Sequence, residues 1–373
     1  MNSSHQIADA DNNHRNAFDL VRLLLAASVI YTHGFLLCGR EEPTFEVFKR
    51  QLSIGLLAVL GFFAVSGYLV SASWDRSPRV GRFLWSRVTR IVPGFLVCLL
   101  VTAFVVAPLL YLGRGLLLND FPWGTGPEGA ARFVLSNSLL RINQWSIGRA
   151  LDGAPYGESL DGSLWSIFPE FTCYLFTLIG GWFGLLRTNR SLLLGLTAYV
   201  AIIHINNTLR PGPPTPADGP SFLTLGIVTK FYLAYLVGML IWAYRDLVRP
   251  DMKACLFIAL VMALVMKFGG LVLLAPIAIP IFLVGGAQLF VCRLRWDLSY
   301  GIYLYHFPLL QLIVLSDWLR ERPILATTAG LLGSAVIAAL SWRFVERPMS
   351  RLKRRAPSRS TRDVPELQAL GKA

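Results

Sequence analysis

The chain has 373 residues, of which 54% are hydrophobic and 15% charged, with a formal net charge of +13 at pH 7 and a mean hydropathy of +0.53. Soluble globular domains carry about 25% charged residues, so this composition excludes that class, and several uninterrupted apolar runs approach the length of a bilayer core. The expected fold is an all-α polytopic membrane protein, a bundle of about ten transmembrane helices (about 20 residues per crossing) with both termini cytoplasmic.

Residues 1–16 are polar and lack the basic start and short apolar core of a cleavable signal, so the first span is expected to serve as an uncleaved signal. Apolar runs follow at 17–38, 52–73, 91–113, 163–186, 191–206, 221–243, 254–266, 270–291, 299–316 and 324–346, each bounded by charge, Pro or Gly. The run at 254–266 is broken by Lys267 and Gly269–Gly270, so 254–291 reads as two spans or as a re-entrant hairpin. Basic residues cluster after every second run: Arg76, Arg79, Arg82, Arg87 and Arg90, then Arg187 and Arg190, then Arg245, Arg249 and Lys253, then Arg293 and Arg295, and finally the tail 347–373. By the positive-inside rule those segments are cytoplasmic, and the long connection from Arg114 to Gly162 and the Pro-rich 209–220 face outward. Topology and attraction to anionic lipid thus account for the basic balance, which is no argument for nucleic acid. The basic tail is expected to be disordered, with no second soluble domain after the last span. Cys98, Cys173, Cys255 and Cys292 fall in or beside apolar runs and Cys38 near an outer edge, a pattern that gives neither a disulfide framework nor metal-ligand spacing.

The stretch Asn16–Cys38 carries an Arg and a His at membrane depth, where ionisable groups face a protein interior or a watery cavity. Arg22 and His33 are eleven positions apart; at about 100° per residue they share one helix face, roughly 16 Å apart along the axis. Counted from the outer boundary, His33 lies roughly 8 Å deep and Glu170, in the fourth span, roughly 10 Å deep. Matching depth allows either a His–Glu pair, which would hold the imidazole in one tautomer and raise its basicity as an alcohol-activating base requires, or two unrelated polar residues in neighbouring cavities. The alternative is a snorkelling Arg and a core His hydrogen-bonded to a neighbouring helix. Lys230 and His306 read as cavity lining or helix-to-helix hydrogen bonds. Gly61, Ser66 and Gly67 allow either close helix packing or room for a ligand, and Trp165 reads as an interfacial anchor or a sugar-stacking surface.

The Arg22–His33 pair, GFFAVSGYLV at 61–70, RFLWSRVTRIVP at 82–93, DGSLWSIFPEFTCYL at 161–175, SYGIYLYHFP at 299–308 and FVERP at 344–348 together resemble the successive signatures of the membrane acyltransferase-3 family, over nearly the whole chain. The resemblance implies that 17–346 is one membrane acyltransferase domain. It would move an acyl group, commonly acetyl, from cytoplasmic acyl-CoA as co-substrate, with no bound cofactor or metal, to a hydroxyl of an extracytoplasmic glycan or lipid-linked saccharide. The setting implied is a bacterial-type inner membrane, and the essential catalytic group is the first-span His, here His33. On that reading Arg82, Arg87 and Arg90 clamp the CoA phosphates, the pantetheine arm threads past Arg22, and Glu170 orients the His33 ring. Where relatives show two adjacent arginines and a third two residues later, this chain reads Ser86-Arg87-Val88-Thr89-Arg90, with Arg82 as a substitute about one helical turn away. Two rival classes are a transporter or flippase for a lipid-linked sugar, with Arg22, His33, Glu170 and Lys230 as a proton path, and a structural scaffold.

Overall fold

A computed structural model describes residues 16–210, 225–247, 251–292 and 294–352 of the chain. Most of the polar N-terminus, the Pro-rich connection from 211 onward and the basic tail beyond Leu352 lie outside the described residues. Each of the ten apolar runs folds as a helix. They are α1 (Phe18–Leu37), α3 (Ile54–Arg76), α4 with its continuation α5 (Val80–Val101 and Ala107–Gly113), α7 (Ile167–Trp182), α8 (Arg190–Leu209), α9 (Leu225–Ala243), α10 (Met252–Phe268), α11 (Leu271–Leu289), α12 (Ser299–Ile313) and α14 (Pro323–Ser341). Short helices α2 (Pro43–Val47), α6 (Ala130–Asn137), α13 (Asp317–Arg320) and α15 (Arg347–Leu352) complete the set. Among the described residues, six helical stretches are long and apolar enough to cross a membrane: Phe18–Leu37, Ile54–Arg76, Val80–Gly113, Arg190–Leu209, Leu271–Leu289 and Pro323–Met349. By contrast α7, α10 and α12 have 16, 17 and 15 residues, fewer than the roughly 20 that a straight crossing takes.

Local chemistry explains the breaks. The two left-handed glycines Gly269 and Gly270 (φ 105° and 98°) turn the chain between α10 and α11, which pack against each other; only Gly adopts such angles freely. The third run extends to 34 residues because a π turn at Thr102–Val106 joins α4 to α5. It sits two residues ahead of Pro108, whose ring cannot donate to the preceding turn. A second π turn, Trp342–Glu346, stands in the same relation to Pro348 and gives the FVERP segment its shape.

The basic segments collect at one end of the bundle. Asp75, at the end of α3, accepts from both Arg187 and Arg245, the latter at 2.8 Å, and Arg190 pairs with Asp246 at 2.7 Å. At the opposite end the long connection is built rather than loose. The Asn137 side-chain oxygen accepts from the backbone N–H groups of Asn143 and Gln144 at 2.8 and 3.0 Å, and Arg114 donates to the Ala150 carbonyl at 2.8 Å. This connection lies over α12, where Gln311 donates to the Ser159 carbonyl at 2.9 Å.

Where α3 crosses α9, both helices present glycine. A Cβ on Gly67 would stand 2.1 Å from the Tyr235 carbonyl oxygen, and one on Gly238 would stand 2.2 Å from that of Ala64. Gly67 therefore serves close packing, as small residues do between membrane helices, while Gly61 packs under Leu25 and Leu283.

Candidate active site

Helices α1 and α12 run side by side and are joined by polar contacts at two levels. At the basic end, Arg22 donates to Asp297 Oδ2 at 2.6 Å, and Arg90 of α4 reaches the same oxygen at 3.2 Å. The second Asp297 oxygen accepts from Ser299 Oγ at 2.6 Å and, by accepting from the Ser299 backbone N–H at 3.3 Å, caps the start of α12, placing a carboxylate where an N-terminus favours one. Burial alone would raise the Asp297 carboxyl, but Arg22 and Arg90 outweigh it and hold the group well below the usual carboxylate range.

Farther along the same two helices, His33 Nδ1 lies 2.7 Å from His306 Nε2, with the rings tilted by only 4°. His306 is fully buried, at 0% exposed. Its Nδ1 faces the carbonyl oxygens of Tyr303 at 2.8 Å and Ile302 at 3.2 Å. Phe307 stands edge-on to the His33 ring, centroids 4.9 Å apart.

Between the two levels runs a cleft of about 760 Å³ including its open mouth, lined by Arg22, Arg87, Arg90, Glu170, Tyr174 and Ser66 on its polar side and by Phe62, Val65, Tyr300 and Tyr303 among its larger apolar walls. Arg87 is 9% exposed and sits between the Phe83 and Tyr174 rings, 5.5 and 5.7 Å from their centroids. One terminal nitrogen donates to Ser73 at 2.9 Å, while the buried Nε has no hydrogen-bond partner among the described residues. A buried guanidinium with an open donor is suited to receive an anion. Tyr303 lines the cleft and also stands 5.9 Å, ring to ring, from His306, so one residue separates the cleft from the histidine pair.

The structure brings Arg22, Arg87 and Arg90 together with Glu170 and Ser66, and it corrects the expected His33–Glu170 pair. Glu170 accepts from Ser66 at 2.9 Å and from Tyr174 at 2.5 Å, and His33 pairs with His306 instead. The reason is the entry of the fourth run. Leu160, Asp161, Ser163 and Leu164 are already buried before α7 begins, so counting depth from Ser163 placed Glu170 too near the His33 level. Arg82 is exposed, bonds Ser77 at 3.3 Å and is not part of the cleft lining. Trp165, Lys230 and His306 are likewise absent from that lining: Trp165 packs on Phe231 with centroids 5.4 Å apart, and Lys230 is buried in α9. Asp297 was not singled out in the sequence; its signal was an Asp two residues before the helix-starting Ser299.

A membrane-helix bundle with a cationic cleft beside a histidine pair defines the class of site, and similarity to known proteins places it. The chain belongs to the acyltransferase-3 family, whose acyltransferase domain matches residues 15–343. It is 27% identical over 343 residues to an O-acetyl transferase of Shigella phage Sf6, covering 89% of this chain and 95% of that one. It is 26% identical over 368 residues to Nodulation protein 10 of Rhizobium leguminosarum bv. viciae, covering 92% and 95%. No solved structure matches it.

Proposed function

We propose that this protein is an acyl-CoA-dependent membrane O-acyltransferase that places an acyl group, acetyl by preference, on a hydroxyl of an extracytoplasmic glycan or lipid-linked saccharide. The reading takes ten membrane helices, the basic end and both termini on the cytoplasmic side, and a bacterial-type inner membrane as the setting. The observation that carries it is the cleft leading from three arginines to Tyr303, whose ring lies beside that of His306, the hydrogen-bond partner of His33.

In this reading Arg87 and Arg90 meet the donor's phosphates at the mouth, with Arg22 held beside them by Asp297. The narrow pantetheine arm enters the cleft and carries its thioester toward the histidines. His33 takes the proton of the acceptor hydroxyl as the oxygen attacks the thioester carbonyl carbon; the C–S bond then breaks, and the imidazolium returns its proton to the departing CoA thiolate. Glu170, fixed by Ser66 and Tyr174, orders the cleft wall opposite the arginines.

Labelled acetyl-CoA supplied to inside-out vesicles tests the whole reading. The expected result is label in a surface saccharide, dependent on the protein. Label that stays on CoA while unlabelled saccharide crosses the bilayer would instead establish a flippase.

A further inference from the structure

Resting on the reading of His33 as the base, we infer that His306 is the positioning residue that sets the tautomer of His33, through a relay that begins at the backbone carbonyl of Tyr303. His306 Nδ1 faces two carbonyl oxygens, at 2.8 and 3.2 Å, and a carbonyl oxygen can only accept, so Nδ1 carries hydrogen. His306 is wholly buried among rings and carbonyl groups, where an imidazolium would stand without a countercharge at high cost, so the ring is neutral and its Nε2 is a bare acceptor.

His33 Nδ1, 2.7 Å from that acceptor, must then be the donor. Its other nitrogen, Nε2, makes no hydrogen bond among the described residues and keeps its lone pair free to receive a proton. The near-coplanar rings put the bond in line with the lone pair on both sides. Once His33 is protonated, the same bond steadies the imidazolium, so a neutral imidazole anchored to backbone does here what a carboxylate does in a triad. Backbone supplies the far end of the relay, so no change of side chain at 303 removes it.

Two variants and one spectroscopic reading test this. His306→Leu keeps the volume and loses the acceptor; kcat should fall about 10²-fold or more with little change in KM for acyl-CoA, and the acid limb of the kcat/KM profile should move to lower pH. His306→Gln places an amide oxygen near the position of Nε2 and should recover most of the rate and the pH profile. In the unmodified protein in lipid, ¹⁵N shifts of the histidine rings should show Nδ1–H with bare Nε2 at both His33 and His306, a result independent of whether either variant folds. A hydrogen on Nε2 of either ring, or folded His306→Leu and His306→Gln that turn over equally, would overturn the relay. His33→Ala in the same assay separates the two readings: activity there overturns His33 as base, whereas an inactive His33→Ala beside a fully active His306→Leu overturns the relay alone.

Discussion

Arg22 and Asp297 meet at 2.6 Å, joining the start of α1 to the cap of α12 while the same carboxylate oxygen holds Arg90. One acidic side chain thus supports two cleft-lining guanidinium groups and a helix start. Asp297→Ala should lower stability by about 1–3 kcal/mol, the usual cost of stranding partly buried polar partners, and Asp297→Asn should lose less because its amide oxygen still caps Ser299. Because Arg22 and Arg90 hold the folded carboxyl below its unfolded value, its stabilisation is complete above the ordinary carboxylate range, about pH 4, and is lost as pH falls below it. Thermal unfolding in detergent between about pH 2 and 5, which takes in the fall below the ordinary carboxylate value, should show an acid-side slope that Asp297→Asn reduces.

Asp161 carries the opposite sign. The side chain is 2% exposed, and burial, outweighing its hydrogen bonds from Ser163 and Cys98, pushes the carboxyl up to about 7. A raised carboxyl favours the folded state below its unfolded pKa of about 4, and the advantage fades as pH rises toward 7. Asp161→Asn should therefore flatten the fall in melting temperature between about pH 4 and 7. A melting temperature that falls over that range as steeply in the variant as in the unmodified protein would remove Asp161 as the source.

Arg87 and Arg82 separate charge that lines the cleft from charge that merely flanks a span. Arg87→Gln should raise the dissociation constant for acyl-CoA about tenfold or more, the value of a charge-assisted hydrogen bond. Arg82→Gln, changing an exposed side chain outside the cleft, should leave it within about twofold. Equilibrium binding of acyl-CoA to detergent-solubilised protein checks both.

These contrasts mark what could be read from sequence. Hydropathy and Gly/Pro punctuation located the ten apolar helices, since apolar length and breakers are local properties, but not the short helices α2, α6, α13 and α15; the face shared by Arg22 and His33 follows from helix period, since one meets Asp297 just ahead of α12 and the other meets His306 within it. What helix period does not contain is which helices are neighbours. His33 and His306 are 273 residues apart, so depth alone had to choose a partner for His33, and Glu170 was misplaced by a loop buried ahead of α7. Asp297 stayed hidden for a related reason: its meaning depends on two arginines from α1 and α4 converging on one loop.

The α3–α9 crossing makes a prediction about packing alone. With a Cβ at Gly67 only 2.1 Å from the Tyr235 carbonyl, Gly67→Ala must push the two backbones apart and should cost about 1–3 kcal/mol. Melting temperature in detergent should fall clearly for Gly67→Ala and stay near the parent for Gly195→Ala, where a Cβ meets open space.

The central claim, that His33 is the group through which acyl transfer proceeds, is tested most directly by the transfer rate per folded molecule of His33→Ala in vesicles supplied with acetyl-CoA. Loss of a positioned base predicts a fall of about 10²- to 10⁴-fold in that per-molecule rate, with acyl-CoA affinity near that of the parent. Turnover close to that of the unmodified protein, in correctly inserted His33→Ala, would contradict it.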